Sequence, residues 1–225
     1  MSRRIRKISA KGVRWLIWSI YVIMIITIIV TWVFYPVRYD FWDLTTSTLG
    51  GISPANHPEM DNVPSMIIFS SGFVLLGGVA IFTGIVYFKN KDRFRFAIIK
   101  GINLVIMGIG ALGIAIPHDI NPITITHVVG AYLFLSSMAI LNFVLQLLHC
   151  MEKYTPNPDK TRDLDFYVDY TFVVLLIITA VLYFATEIFY KFIPNLIWIP
   201  PAPAQKILLF TGIIAAGLLD LDDIK

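Results

Sequence analysis

The sequence predicts an all-α fold, a polytopic transmembrane helix bundle of six helices with a cytoplasmic amino terminus, and five helices as the alternative count. Hydrophobic residues make up 57% of the 225 residues and charged residues only 15%. Soluble domains carry about 25% charged residues. The mean hydropathy is +0.74. Several apolar runs also reach the roughly 20 residues that a helix needs to cross a bilayer. Lipid is therefore the predicted solvent for most of the chain.

The chain divides into a basic cytoplasmic amino terminus (residues 1–12), a single transmembrane helical domain (13–221) and a short carboxy-terminal tail (222–225). The six helices are predicted at residues 13–35, 64–88, 97–117, 127–148, 167–190 and 202–219. The first is interpreted as a retained signal anchor, because it ends at Tyr35 and is followed by Pro36 and Val37 instead of a small-residue cleavage site.

The sixth helix is the weakest, since its uninterrupted apolar run extends only from Ile207 to Leu219. It reaches spanning length by including Ala202 to Lys206, with the lysine snorkelling to the interface or the bilayer thinning locally. A re-entrant segment, and hence a five-helix chain, is the alternative.

Orientation is predicted from the lysines and arginines, which are enriched in cytoplasmic flanks. Of the 18 such residues, all but Arg38, Lys191 and Lys206 are predicted on the same side of the membrane as the amino terminus. This distribution predicts a multi-pass plasma-membrane protein whose amino terminus and, if the sixth helix spans, carboxy terminus are cytoplasmic.

Small residues predict close packing of the second and third helices, because glycine lets membrane helices approach each other. The glycines concerned are Gly72, Gly77, Gly78, Gly84, Gly101, Gly108, Gly110 and Gly113. The same surfaces are candidates for binding another membrane protein or a second copy of this chain. General glycine enrichment in membrane helices is the alternative explanation at any one position.

Composition also excludes several classes of protein. The net charge of +3 and the many apolar runs are incompatible with the large basic surface of a nucleic-acid binder. Cys150 is the only cysteine, which excludes an intrachain disulfide and a cysteine metal cage. Lys100, Asp169 and Glu187 are predicted near helix ends, where they snorkel, and this argues against a proton-driven pump.

Polar side chains on the predicted outer side are the candidates for chemistry. His57, His118, His127 and Asp119 are candidate metal ligands, because zinc accepts imidazole and carboxylate and activates water at an open position. No H-E-x-x-H spacing supports a zinc hydrolase, and helix capping by polar residues is the simpler interpretation. Thr126 and Asn62 are predicted caps of the fourth and second helices.

A catalytic role is a further hypothesis for His118, Asp119 and His127. Either histidine would serve as the base for a hydroxyl nucleophile from residues 45–48, the logic of a triad at the membrane surface. The sequence does not show which hydroxyl, if any, reaches a histidine.

The same three residues are predicted to form one polar site at the outer mouth of the third and fourth helices. Only nine residues connect Pro117 to His127, and the Asn121-Pro122 pair favours a turn, so the helix ends stay adjacent. Solvent-exposed histidines beside Asp119 would titrate near neutral pH, since the carboxylate favours the charged imidazole. The charged site, together with the amino terminus of the fourth helix, would bind a lipid phosphate. Glu187 approaches the same surface and completes the predicted lipid-binding set. A solvated loop without a ligand is the alternative.

A scattered pattern of residues resembles a family of prokaryotic membrane proteins that carry domain of unknown function 998. The residues are Tyr35, Pro36, Tyr39, Ser47, Leu49, Gly50, Asn56, Pro58, Gly113, Pro117, Asp119 and His127, and the resemblance spans about residues 13 to 190. The family is similar in layout to the eukaryotic DRAM and Frag-type six-helix proteins, which implies lipid remodelling, lipid asymmetry or autophagy. Thr48 stands where the family often has an acidic residue, and His57 interrupts an Asn-Pro pair.

The leading functional hypothesis is therefore an integral membrane protein that binds or processes a lipid headgroup at the outer face, with membrane lipids as partners. A non-catalytic accessory or scaffold subunit is the first alternative. A metal-dependent intramembrane hydrolase, with zinc as its cofactor, and a small-molecule transporter are further alternatives.

Overall fold

The computed structural model describes residues 9–120, 124–155, 164–193 and 199–218. It contains the α-helices α1 (Ala10–Val33), α2 (Val63–Lys89), α3 (Ala97–Ile114), α4 (Thr124–Tyr154), α5 (Leu164–Phe192) and α6 (Pro201–Leu218). A short 3-10 helix, Thr46–Gly50, lies between α1 and α2, and the described residues contain no strand. The all-α prediction is confirmed. The basic residues before Ser9, the Asn121-Pro122 turn and the 222–225 tail lie outside the described residues.

Helices α1 to α5 are each long and apolar enough to cross a membrane, and α6 is not among these five. The chain is therefore a multi-pass membrane protein by the length and composition of its helices. The sixth helix exists close to its predicted bounds, but its buried amino-terminal turns contact other parts of the chain, as described below.

The helix ends differ from the predicted ends where hydropathy is a poor guide to backbone hydrogen bonding. Helix α4 continues to Tyr154, beyond the predicted residue 148, because polar side chains do not interrupt a helix. Helix α3 ends at Ile114, before the predicted residue 117. Pro117 has no N–H to donate and disfavours helical backbone at the residue before it.

The two predicted helix caps are only partly present. Asn62 occupies the N-cap position of α2, but its side chain makes no cap hydrogen bond with the helix. Instead, Val63 N donates to Asp61 Oδ1 at 2.9 Å. Thr126 does not cap α4, because that helix already begins at Thr124.

Consecutive helices pack side by side from α1 to α4, and α5 packs with α4 and α6. The predicted contact between α2 and α3 is confirmed, since a Cβ atom at Gly77 would lie 2.8 Å from Gly108 O. A second close approach joins α3 to α4, where a Cβ atom at Gly130 would lie 2.6 Å from Gly113 Cα. A Cβ atom at Gly78, by contrast, would have no neighbouring atom within 4 Å. Most of the predicted small-residue contacts thus lie inside the bundle.

Asp169 lies at the end of the bundle opposite the α1–α2 connection, and it does not snorkel as predicted. Its side chain accepts hydrogen bonds from Lys153 Nζ at 2.9 Å and Tyr154 OH at 2.8 Å. Helix α5 begins at Leu164, earlier than predicted, so Asp169 lies in its second turn and is only 7% exposed. An ion pair between α4 and α5 therefore replaces the predicted solvent contact.

Candidate functional site

The connection between α1 and α2, residues 34–62 and here called loop 1, folds back onto the helix ends. Leu49 in its 3-10 helix is 2% exposed. The buried Asn62 side chain donates to Leu49 O at 3.1 Å and to Gly51 O at 2.8 Å. Ser65 Oγ donates to the same Leu49 oxygen at 2.8 Å. Loop 1 is thus an ordered part of the fold, held by polar side chains at the start of α2.

Asp119 links the α3–α4 connection to loop 1. Its Oδ2 atom accepts hydrogen bonds from Ile52 N at 2.7 Å and Ser53 N at 3.1 Å. An ionised carboxylate forms stronger hydrogen bonds with backbone N–H groups than a neutral acceptor does. Asp119 therefore positions loop 1, whatever else it binds.

His118 and His127, here called the histidine pair, meet at the same end of the bundle, as the short connection predicts. Their ring centroids are 5.6 Å apart. His127 is 3% exposed, and its Nδ1 atom lies 2.6 Å from Ile116 O, so Nδ1 carries the proton that this bond requires. The buried His127 Nε2 and His118 Nδ1 atoms have no hydrogen-bond partner among the described residues. The pair thus holds two buried nitrogens without a hydrogen-bond partner in the described part of the chain.

Burial controls the charge of His118. It lowers the pKa of the imidazole below its ordinary value of 6.5, and this outweighs the opposite effect of the Asp119 carboxylate. Asp119 favours the charged imidazole as the sequence predicts, but the expectation that His118 is wet enough to titrate near neutral pH is wrong, because burial outweighs the carboxylate. A neutral imidazole attracts a lipid phosphate less than the predicted cation would.

The remaining predicted site residues have hydrogen-bond partners other than the histidine pair. His57 is exposed and its Nδ1 atom lies 3.2 Å from Glu59 Oε1. Glu187 accepts a hydrogen bond from Tyr132 OH at 3.3 Å, and Lys191 Nζ donates to the same hydroxyl at 2.8 Å. Within the described part of the chain, no group of three or more His, Cys, Asp or Glu side chains could hold a metal ion.

The candidate hydroxyl nucleophiles form hydrogen bonds within loop 1. Thr48 Oγ1 donates to Thr45 O at 2.8 Å, and Thr45 Oγ1 lies 3.1 Å from Ser47 Oγ. In the described residues, none of these hydroxyls forms a hydrogen bond with His118 or His127. The triad hypothesis thus gains no support from their hydrogen bonds.

An apolar groove lies between α1 and α6 beneath loop 1, and no sequence pattern predicts it. Its volume is about 200 Å³. The lining residues are Ile25, Ile28, Ile29, Trp32, Tyr39, Phe41, Thr46, Leu49, Lys206, Leu209, Phe210 and Ile213. Helices α1 and α6 contact each other only slightly, which leaves the groove between them. Ile29, Trp32 and Phe210 are each more than half exposed, so the groove has an open side between α1 and α6.

Lys206 is the one charged side chain among these lining residues, and it is 5% exposed. Its ammonium donates to Phe41 O at 2.6 Å and to Leu44 O. It also lies 4.5 Å from the Phe41 ring centroid and 5.2 Å from that of Tyr39. The predicted snorkelling lysine is thus buried beneath loop 1.

The neighbouring Gln205 strengthens the link between α6 and loop 1. Its Oε1 atom accepts a hydrogen bond from Thr46 N at 3.0 Å. No local sequence pattern relates two residues 159 positions apart, so this contact and the groove that it borders were not predictable from spacing.

Comparison with protein-family models, with curated proteins and with solved structures finds no match for this chain. The resemblance to the domain of unknown function 998 stays a prediction from the residues that carry it.

Proposed function

We propose that this protein binds a single membrane lipid, with an acyl chain in the groove between α1 and α6, at the outer face of the plasma membrane. The observation that carries the proposal is the groove itself. Engineered apolar cavities of about 150 Å³ accept benzene or xenon, so a groove of about 200 Å³ has room for a length of hydrocarbon.

The groove's position favours a lipid over a water-soluble ligand. Nearly all its lining is apolar, and its open side is formed by exposed residues on α1 and α6. A lipid would enter from the bilayer without crossing water. Because its chain is already in an apolar solvent, binding would depend on shape and on polar contacts instead of the hydrophobic effect.

The hydrogen bonds of Asp119 favour binding over chemical processing of the lipid. The carboxylate contacts backbone N–H groups of loop 1, and loop 1 roofs the groove. In this proposal, Asp119 and the histidine pair shape the lipid site from a distance and do not contact the bound chain. The outer location rests on the lysine and arginine distribution.

A metal-dependent hydrolase is the second candidate, and the observation that favours it is the histidine pair. The Ile116 carbonyl fixes the proton on His127 Nδ1 and leaves the buried Nε2 lone pair available, as in many metal-ligating histidines. Zinc in a catalytic site takes three protein ligands, and the pair supplies two. Metal analysis of the purified protein, with zinc retained by wild type and lost in His127→Ala, would favour this candidate.

The lipid proposal is tested by narrowing the groove. Ile29→Trp places a larger side chain in the groove lining, and Ile109→Trp is the matched control on α3. The two isoleucines are 52% and 51% exposed. Native mass spectrometry of protein purified in mild detergent would measure retained lipid.

We expect wild type and Ile109→Trp to retain one lipid at activation energies that remove bulk lipid, and Ile29→Trp to retain several-fold less. Equal retention by all three proteins would refute the proposal.

A further inference from the structure

We propose that the groove selects a lipid with an anionic headgroup, whose phosphate lies beside Lys206. This inference rests on the lipid-binding function proposed above and names the chemical class of the lipid.

Lys206 places a buried positive charge whose direct contacts are neutral, and the Asp40 carboxylate of loop 1 attracts it without forming an ion pair. Its ammonium contacts two carbonyl oxygens and two aromatic rings. The ion pairs among the described residues join Arg95 to Glu152, Lys153 to Asp169 and His57 to Glu59, and none includes Lys206. A buried charge is costly unless an opposite charge accompanies it. An anionic ligand in the groove would supply that charge.

The depth of Lys206 matches a lipid headgroup. Lys206 and Trp32 lie at the loop 1 end of the groove, whereas Ile213 and Ile25 lie farther along the same two helices. Seven residues separate the members of each helix pair, which corresponds to about 10 Å of helix. The charged end and the apolar length of the groove therefore follow the order of a lipid headgroup and its chain.

Exposed tryptophans also indicate that Lys206 lies at the depth of the lipid headgroups. Trp32 is 57% exposed and Trp42 in loop 1 is 64% exposed, at the same end of the bundle. Exposed tryptophans are enriched at the level of lipid headgroups. The ammonium of Lys206 therefore lies near the boundary where phosphates reside.

The charge of Lys206 favours an anionic headgroup over a zwitterionic one. A zwitterionic headgroup would bring a second cation near the Lys206 ammonium, and like charges repel. Asp40 is the acidic residue of loop 1 that interacts with Lys206, and its Oδ1 atom accepts hydrogen bonds from Trp42 N at 2.8 Å and Asp43 N at 3.2 Å.

The test compares binding of phosphatidylglycerol and phosphatidylcholine with identical chains to the delipidated protein, by native mass spectrometry. Lys206→Met removes the charge, and Lys206→Arg retains it. Lys191→Met is the control, because Lys191 is an exposed cation at the same end of the bundle. Inorganic phosphate is added as a competitor that lacks a chain.

We expect wild type, Lys206→Arg and Lys191→Met to prefer phosphatidylglycerol by at least about fivefold, the preference that one cation gives for anionic lipid. Lys206→Met should lose the preference, and inorganic phosphate should not compete. Equal binding of both lipids to the wild type would overturn the inference and leave the lipid-binding function standing. If wild type bound neither lipid better than Ile29→Trp does, the proposed function itself would be refuted. The wild-type comparison decides the inference even if Lys206→Met does not fold.

Discussion

Substituting Gly130 by alanine tests the close packing of α3 and α4 that brings the histidine pair together. A Cβ atom there would lie 2.6 Å from Gly113 Cα, 2.7 Å from Gly113 C and 2.8 Å from Gly110 O. All three are backbone atoms, so no side chain can rotate away. Ordinary contact begins near 3.4 Å, so the two helices must separate by roughly 0.8 Å.

The expected cost follows from two opposing effects. Overpacking of a tight core costs about 1–3 kcal/mol. Replacing glycine by alanine inside a helix recovers up to about 1 kcal/mol. Gly78→Ala isolates the second effect, because no atom lies within 4 Å of the added Cβ. The two variants should therefore differ in unfolding free energy by about 1–3 kcal/mol, with Gly130→Ala the less stable.

Cys150 provides the assay, since it is the only cysteine and is 2% exposed. A thiol-reactive dye added during a thermal scan in detergent would report unfolding as the thiol becomes accessible. For a chain of this length we expect Gly130→Ala to melt about 2–12 °C below Gly78→Ala. A melting temperature of Gly130→Ala equal to or above that of Gly78→Ala would refute the packing argument.

Three further predictions concern orientation, pH and loop 1. In a Cys150→Ala background, a cysteine at Asn56 should react with an impermeant reagent on intact cells and one at Lys91 only after permeabilisation, and the reverse pattern would contradict the proposed topology. The lowered pKa of His118 means that the unfolded chain binds the proton first as pH falls below the ordinary value of 6.5, so stability should decline below that pH in wild type and less in His118→Gln. An equal decline in both would assign the effect to other groups. Asp119→Ala should raise hydrogen exchange at residues 52 and 53 by about tenfold through loss of a charged acceptor, and unchanged exchange would show that it does not hold loop 1.

Hydropathy predicted the helices well because a bilayer demands long apolar runs of every spanning segment. It failed at the ends of α3 and α4, because Pro117 ends α3 early and polar side chains do not end α4, which continues to Tyr154. The meeting of His118 and His127 was predictable for a simpler reason. Short connections between antiparallel helices usually keep the connected ends adjacent, and this connection has nine residues.

The groove and the burial of Lys206 were not predictable in the same way. Snorkelling is the usual outcome for a lysine near a helix end, and nothing adjacent to Lys206 in the sequence contradicts it. Its partners Phe41 and Leu44 belong to loop 1, more than 160 residues earlier in the chain. Burial of His118 was likewise set by tertiary packing, with Gly51 of loop 1 against its ring, and the sequence did not show that this burial would outweigh the attraction of Asp119.

The bonds between loop 1 and α6 also impose an order on biosynthesis. Loop 1 emerges from the ribosome early, but Gln205 and Lys206, which bind Thr46 N and Phe41 O, are made some 160 residues later. At a synthesis rate of about 5–20 residues per second, those two backbone groups wait for roughly 8–30 seconds before their partners are made. During that interval the nascent chain depends on water, lipid or a membrane chaperone at this surface. A chain truncated before α6 would remain in that incomplete state and become a substrate for membrane quality control.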